Sequence, residues 1–238
     1  MESHLIDAAR RSISYRKQIL ERHVAPSTEA IQNLSQFNFP LPDNSTSDEK
    51  VIDLLDKFGS PATIGISGPR FFGFVIGGSL PVTVAANWLN TAWDQNAGLF
   101  AGSPVGTVLE EVSLSWLLDI FDFPRRSDGA FVTGATMANF TALAAARNCL
   151  LKSLDWDVES NGLFGVPPID IIVGEEAHPT LFRALGLLGL GRKRVITVPA
   201  DNRGRMRIDK FPKLKEHSIV CIQAGNVNTG AFDPFNEI

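Results

Sequence analysis

Three short segments of this sequence carry residue types suited to chemistry at a ligand. The first is Phe131-Val132-Thr133-Gly134-Ala135-Thr136-Met137-Ala138-Asn139. An apolar stretch, read as a strand over 131–133, meets a turn of small and hydroxyl residues, and a helix rich in Ala and Leu follows over 137–150. The unpaired N–H groups of a helix's first turn and the helix dipole both favour an anion, so Gly134, Ala135 and Thr136 form a candidate phosphate seat. The same layout also serves as an ordinary strand-to-helix turn. The second segment is Gly174-Glu175-Glu176-Ala177-His178-Pro179, which follows an apolar run over 169–173. An imidazole there can stack on an aromatic ring or move a proton, or it can simply open the helix that starts at Pro179. The third is Ala224 to Pro234, where Asn226 offers an amide to a ligand. Asp233-Pro234 reads instead as a helix cap and first helical residue, a structural pair.

The elements around these segments alternate. Strands are read at 131–133, 169–173, 195–198 and 219–223, with helices over 137–150, about 179–188 and about 208–215. Strands separated by helices imply an α/β fold with a mostly parallel sheet and crossover connections. Ligands of such sheets sit beyond the carboxyl ends of the strands. That rule places Gly134–Thr136, Glu175–His178 and Ala224–Gly230 on one rim.

The first half of the chain is read as helical. Leu5 to Val24 has helical apolar spacing and ends before Pro26. Residues 26–47, rich in Pro, Ser, Asn and Thr, form a connection, and a second helix through Val51, Ile52, Leu54, Leu55 and Phe58 stops at Gly59. Helices over Pro81–Gln95 and Pro104–Ile120 each open with proline, the second capped by Ser103. Between them, Gly68 to Gly78 mixes aromatics with glycines, either as a core loop or as an apolar lip over a ligand.

Composition narrows the function. With 44% hydrophobic residues the chain has ample material for a core, and a net charge of −4 gives no basic footprint for nucleic acid. No spacing suits a metal, and no apolar run is long enough to span a membrane. Cys149 and Cys221 sit in apolar sequence and are read as buried free thiols of a cytoplasmic protein. Walker, G-x-G-x-x-G and G-x-S-x-G patterns are absent.

Taken in order, five segments resemble one family. They are Pro69-Arg70-Phe71-Phe72-Gly73-Phe74, Ser103-Pro104 with Leu109-Glu110-Glu111-Val112, Thr133 to Asn139, Ala177-His178, and Gly230-Ala231-Phe232-Asp233-Pro234. Together they resemble the group II pyridoxal-phosphate-dependent decarboxylases of amino acids. The resemblance implies an aspartate-aminotransferase-like (fold type I) large domain over 61–238 and an N-terminal helical dimerisation segment over 1–60. It implies pyridoxal 5'-phosphate as cofactor, an amino acid as substrate and a homodimer. By the same resemblance Gly134, Ala135 and Thr136 hold the phosphate, His178 stacks on the ring, and Asn226 stands where the family usually has a threonine near the ring hydroxyl. Phe72 and Phe74 line the substrate pocket, and the stretch from Asn96 to Phe100 approaches the partner's active site.

The family also has an aspartate on its next strand and, further on, the lysine that forms the Schiff base. Both positions fall beyond Ile238, and Lys210, Lys213 and Lys215 precede the last strand. The expectation is therefore a C-terminally truncated part of a carboxy-lyase, inactive alone and with no catalytic residue of its own. Two other readings stand beside it: a non-catalytic paralogue that pairs with a complete subunit, or a different lyase or aminotransferase of the same fold.

Overall fold

The computed structural model describes residues 1–238, and they form two compact units, Met1–Asn96 and Ala97–Ile238. The first unit extends past residue 60, where the sequence places a boundary. The reason is bonding: Tyr15 Oη lies 2.8 Å from Thr63 Oγ1, and Arg16 donates to Ser67 Oγ at 2.7 Å and to the Ser79 carbonyl at 2.8 Å. These bonds tie residues 63–79 to the first helix.

That unit holds α1 (Glu2–Gln18), α2 (Thr28–Asn33), α3 (Asp48–Leu54) and α4 (Pro81–Trp93). Arg11 joins α1 to α3 by pairing with Asp7, Asp53 and Asp56. Hydrogen bonds to those carboxylates raise the Arg11 pKa above its ordinary value. Helix α1 stops at Gln18, short of Val24, and the chain turns so that Ile19 is buried beneath Gly65 and Gly68. The 26–47 connection contains α2, capped by Ser27 Oγ, which accepts from Ala30 N at 3.1 Å.

The second unit holds α5 (Pro104–Ile120), α6 (Ala135–Lys152), α7 (Val158–Asn161) and α8 (Pro179–Leu187). Its strands are β1 (Asp170–Gly174), β2 (Ile196–Val198) and β3 (Ser218–Cys221). They form a parallel sheet in the order β2-β1-β3, with Ile172 opposite Ile196 and Val220. Alternate residues of β1 face opposite ways. Ile171 and Val173 bury against Leu143 of α6 and against Ala184 and Leu185 of α8. Ile172 faces the other side, with Val198 and Met206. A central strand clothed on both faces explains its uninterrupted apolar run.

Three readings are corrected here. Residues 131–133 form no strand: no other strand runs beside them, Phe131 is 58% exposed, and its N–H reaches only Glu110 Oε1 at 3.4 Å. Apolar propensity makes no strand without a ladder partner. The helix expected over 208–215 shrinks to a single turn, Ile208–Lys210, because Pro212 lacks the N–H to continue it. Cys149 is exposed on α6, whereas Cys221 is half-buried and its thiol is pushed up to about 11 by that burial.

Candidate functional site

Helix α6 starts at Ala135 with Gly134 as its N-cap, and no side chain caps it. The Gly134 carbonyl accepts from Met137 N at 2.9 Å and from Ala138 N at 3.0 Å, which turns the chain into the helix. A Cβ placed on Gly134 would meet nothing within 4 Å, so open space lies in front of this end. Gly134 and Ala135 are exposed and Thr136 is half-buried. An uncapped first turn with a hydroxyl beside it has the donor set for a phosphate.

His178 is the N-cap of α8. Its Nδ1 accepts from Thr180 N at 3.3 Å and lies 2.9 Å from Thr180 Oγ1. Asn139 Nδ2 donates to the same Thr180 oxygen at 3.2 Å. The chain of bonds has one consistent polarity: Asn139 donates to the threonine oxygen, and the threonine N–H and O–H donate to Nδ1. The neutral ring therefore carries its proton on Nε2. Asn139 lies one turn into α6, so this chain links the candidate phosphate end to His178. The helix-opening role left open by the sequence is thus real, and it also fixes an exposed ring. Beside the ring an open groove runs along β3, walled by Asn139, Leu143, His178, Cys221, Gln223 and Ala224.

Asn226 stands differently. It is buried, its Nδ2 donates to Glu176 Oε2 at 2.8 Å, and its Oδ1 accepts from Asn228 N at 2.9 Å and Thr229 N at 3.3 Å. Its amide is committed to holding the 224–230 loop. Asp233 does not cap a helix; it is buried and accepts from Met206 N and Gln223 N, each at 2.8 Å. It ties the end of β3 to the segment after β2.

Phe72, Phe74 and Asn96 belong to the first unit and are exposed, the two rings at 92% and 84%. Phe74 and Val75 adopt left-handed backbone, φ 61° and 51°, which is costly for the β-branched Val75.

Sequence reasoning held Asn139 in the first segment and Glu176 on the rim without a partner for either, and it missed Thr180 and Gly204. The run Asp201-Asn202-Arg203-Gly204 is a recognisable turn signal, but nothing in it says that the turn meets the 224–230 loop.

The fold and this rim define an open-sheet α/β protein with a helix N-terminus and a fixed imidazole at one edge. The pyridoxal-dependent decarboxylase conserved domain matches residues 32–238, and the chain belongs to that family. It is 26% identical over 218 residues to the acidic amino acid decarboxylase GADL1 of Xenopus tropicalis, covering 88% of this chain and 41% of the relative. It is 26% identical over 213 residues to an aromatic-L-amino-acid decarboxylase of Bacillus atrophaeus, covering 83% and 41%. Among crystal structures, apo mouse CSAD superposes with a TM-score of 0.85 at 24% identity, over 99% of this chain and 51% of that one. Oryza sativa TDC with PLP and tryptamine gives 0.74 at 19%, over 88% and 44%. These likenesses establish the α/β large-domain fold, and the chain spans about half the length of the structures or less.

Proposed function

We propose that this chain is part of a pyridoxal-phosphate-dependent amino acid carboxy-lyase. The observation that carries the reading is the uncapped start of α6, joined to His178 through Asn139 and Thr180. The residues fit the cofactor: an anion seat with open space before it, and a planar ring held at the same rim. Bound pyridoxal phosphate supplies the electron sink for breaking a bond at the amino acid's α-carbon.

The N–H groups of Ala135 and Thr136, with the Thr136 hydroxyl, hold the phosphate. Gly134 leaves the approach clear. His178 offers its ring face, with Nδ1 anchored and the proton kept on Nε2. Asn226 acts through the loop it holds. By the family resemblance, Phe72, Phe74 and Asn96 are the candidates in the first unit for contact with substrate. A homodimer suits an α5 that buries none of its residues and exposes Val105, Leu109, Val112, Trp116 and Ile120 along one stripe. A reducing compartment such as the cytoplasm suits two unpaired thiols.

The test is product analysis on the complete native gene product supplied with pyridoxal phosphate and a panel of acidic and aromatic amino acids. Carbon dioxide with the matching amine supports the reading. A keto acid without amine, or no carbon dioxide from any amino acid, overturns it.

A further inference from the structure

The loops that follow β1, β2 and β3 meet around the buried Asn226. Residues 174–177 form the first loop, closed by Ala177 N donating to the Gly174 carbonyl at 3.0 Å, and Glu175 and Glu176 occupy its corner. The second is the hairpin over 200–206, where Ala200 pairs with Met206 and Asp201 accepts from Arg203 N and Arg205 N. The third is the 224–230 loop.

Each pair of loops is joined by its own contact. Glu176 Oε2 accepts from Asn226 Nδ2 at 2.8 Å, joining the first loop to the third. Glu175 Oε2 accepts from Ala200 N at 2.9 Å, joining the first to the second. Thr229 Oγ1 donates to the Arg203 carbonyl at 2.7 Å, joining the third to the second. Gly204 seals the point. Its φ is 78°, and a Cβ there would fall closer than 3.0 Å to both Asn226 Nδ2 and Glu176 Oε2. Glycine is required twice over, by backbone conformation and by space.

Asn226 is buried while Glu176 is exposed, so a half-buried carboxylate–amide bond closed off by a glycine joins the loops, and Glu176 lies two residues along the chain from His178. We propose that Glu176, Asn226 and Gly204 form a positioning hub that sets the rim on which pyridoxal phosphate is held. The inference rests on the cofactor reading above. None of the three residues touches the cofactor. Glu176 acts as a hydrogen-bond acceptor, Asn226 as the bridge, and Gly204 as the spacer that lets the hairpin close on them. Their effect reaches the ligand through His178 on one side and the 224–230 loop on the other.

The experiment measures pyridoxal phosphate affinity by quenching of tryptophan emission, with thermal melting in parallel, on the complete native gene product. The variants are Glu176→Ala, Glu176→Gln and Gly204→Ala, with Ala135→Asp as a control that places an anion in the phosphate seat. The hub predicts binding about tenfold weaker in Glu176→Ala and weaker still in Gly204→Ala, as expected from losing the charged hydrogen bond that satisfies the buried Asn226 amide and from a steric clash. Glu176→Gln keeps an acceptor and stays within about twofold of wild type. Glu176→Ala melts slightly below Glu176→Gln, having lost one bond, by too little to account for the lost affinity. In Glu176→Ala the Asn228 and Thr229 amides exchange faster with solvent than in Glu176→Gln.

Wild-type affinity in Glu176→Ala and Gly204→Ala, with binding lost in Ala135→Asp, overturns the hub and leaves the cofactor reading standing. Glu176→Gln as weak as Glu176→Ala also overturns it, as does a loss of affinity matched by a general loss of stability. No binding by wild type, or full binding by Ala135→Asp, overturns the cofactor reading and the hub with it.

Discussion

The Asn139 side-chain amide donates to Thr180 Oγ1 at 3.2 Å, and the same hydroxyl lies 2.9 Å from His178 Nδ1. One threonine thus couples α6, one turn in from its start, to the residue that opens α8. Thr180→Val keeps the shape and removes the hydroxyl, leaving only the backbone N–H on Nδ1. We expect a stability loss of about 1 kcal/mol and pyridoxal phosphate binding weaker by a few-fold. Chemical denaturation and cofactor titration measure the two effects. A variant indistinguishable from wild type in both would show that the chain of bonds fixes nothing.

His178 does two jobs that different substitutions separate. As N-cap it serves Thr180 N through Nδ1, and as an exposed ring it offers a stacking face. His178→Asn keeps a capping oxygen and loses the ring, so stability holds while cofactor affinity falls by about 1 kcal/mol, roughly fivefold. His178→Phe keeps a ring and loses the cap, so stability falls by about 1 kcal/mol and affinity is largely retained. Denaturation midpoints and binding constants of the two variants should move in opposite order.

Asp233 is buried and satisfies two backbone N–H groups, those of Met206 and Gln223. Asp233→Ala leaves both donors without a partner and costs about 3 kcal/mol. Asp233→Asn retains one acceptor oxygen and costs about 1 kcal/mol less than that. Urea unfolding of the three proteins gives the ranking. A neutral alanine substitution would exclude the tie between β3 and the segment after β2.

Asp201 gives the hairpin over 200–206 a pH dependence of definite sign. The backbone N–H and guanidinium of Arg205, then Arg203 N, lower its pKa from 3.8 to about 2. A carboxylate whose folded pKa is depressed contributes stability above its unfolded pKa, and loses it as pH falls through the folded one. The stability difference between wild type and Asp201→Asn is therefore constant above about pH 5 and shrinks as pH falls from 3.8 towards 2. Urea unfolding across that range checks the sign.

Much of this molecule was legible in its sequence. The proline-led helix over Pro104–Ile120 stands where the pattern places it, with Ser103 accepting from Gly106 N at 3.2 Å. The apolar run after Pro168 becomes the central strand, because a strand buried on both faces has no polar alternation to hide it. The ordered segments from Pro69 to Pro234 pointed to the family that matches residues 32–238. What stayed hidden depends on partners distant in the chain. Residues 131–133 have strand composition and no neighbouring strand. Glu176 and Asn226 are fifty positions apart and meet only when the loops after β1 and β3 converge. Thr180 looks like an ordinary first-turn residue until Asn139 of another helix reaches it.

The central claim, that the start of α6 holds the phosphate of pyridoxal phosphate, is tested most directly by the phosphorus NMR signal of the cofactor. Added to the complete wild-type gene product, the signal should shift and broaden as the phosphate meets the Ala135 and Thr136 amides. Ala135→Asp should return it to its free position, because a carboxylate there repels the dianion. A signal unmoved by wild type, or moved equally by both proteins, would contradict the account.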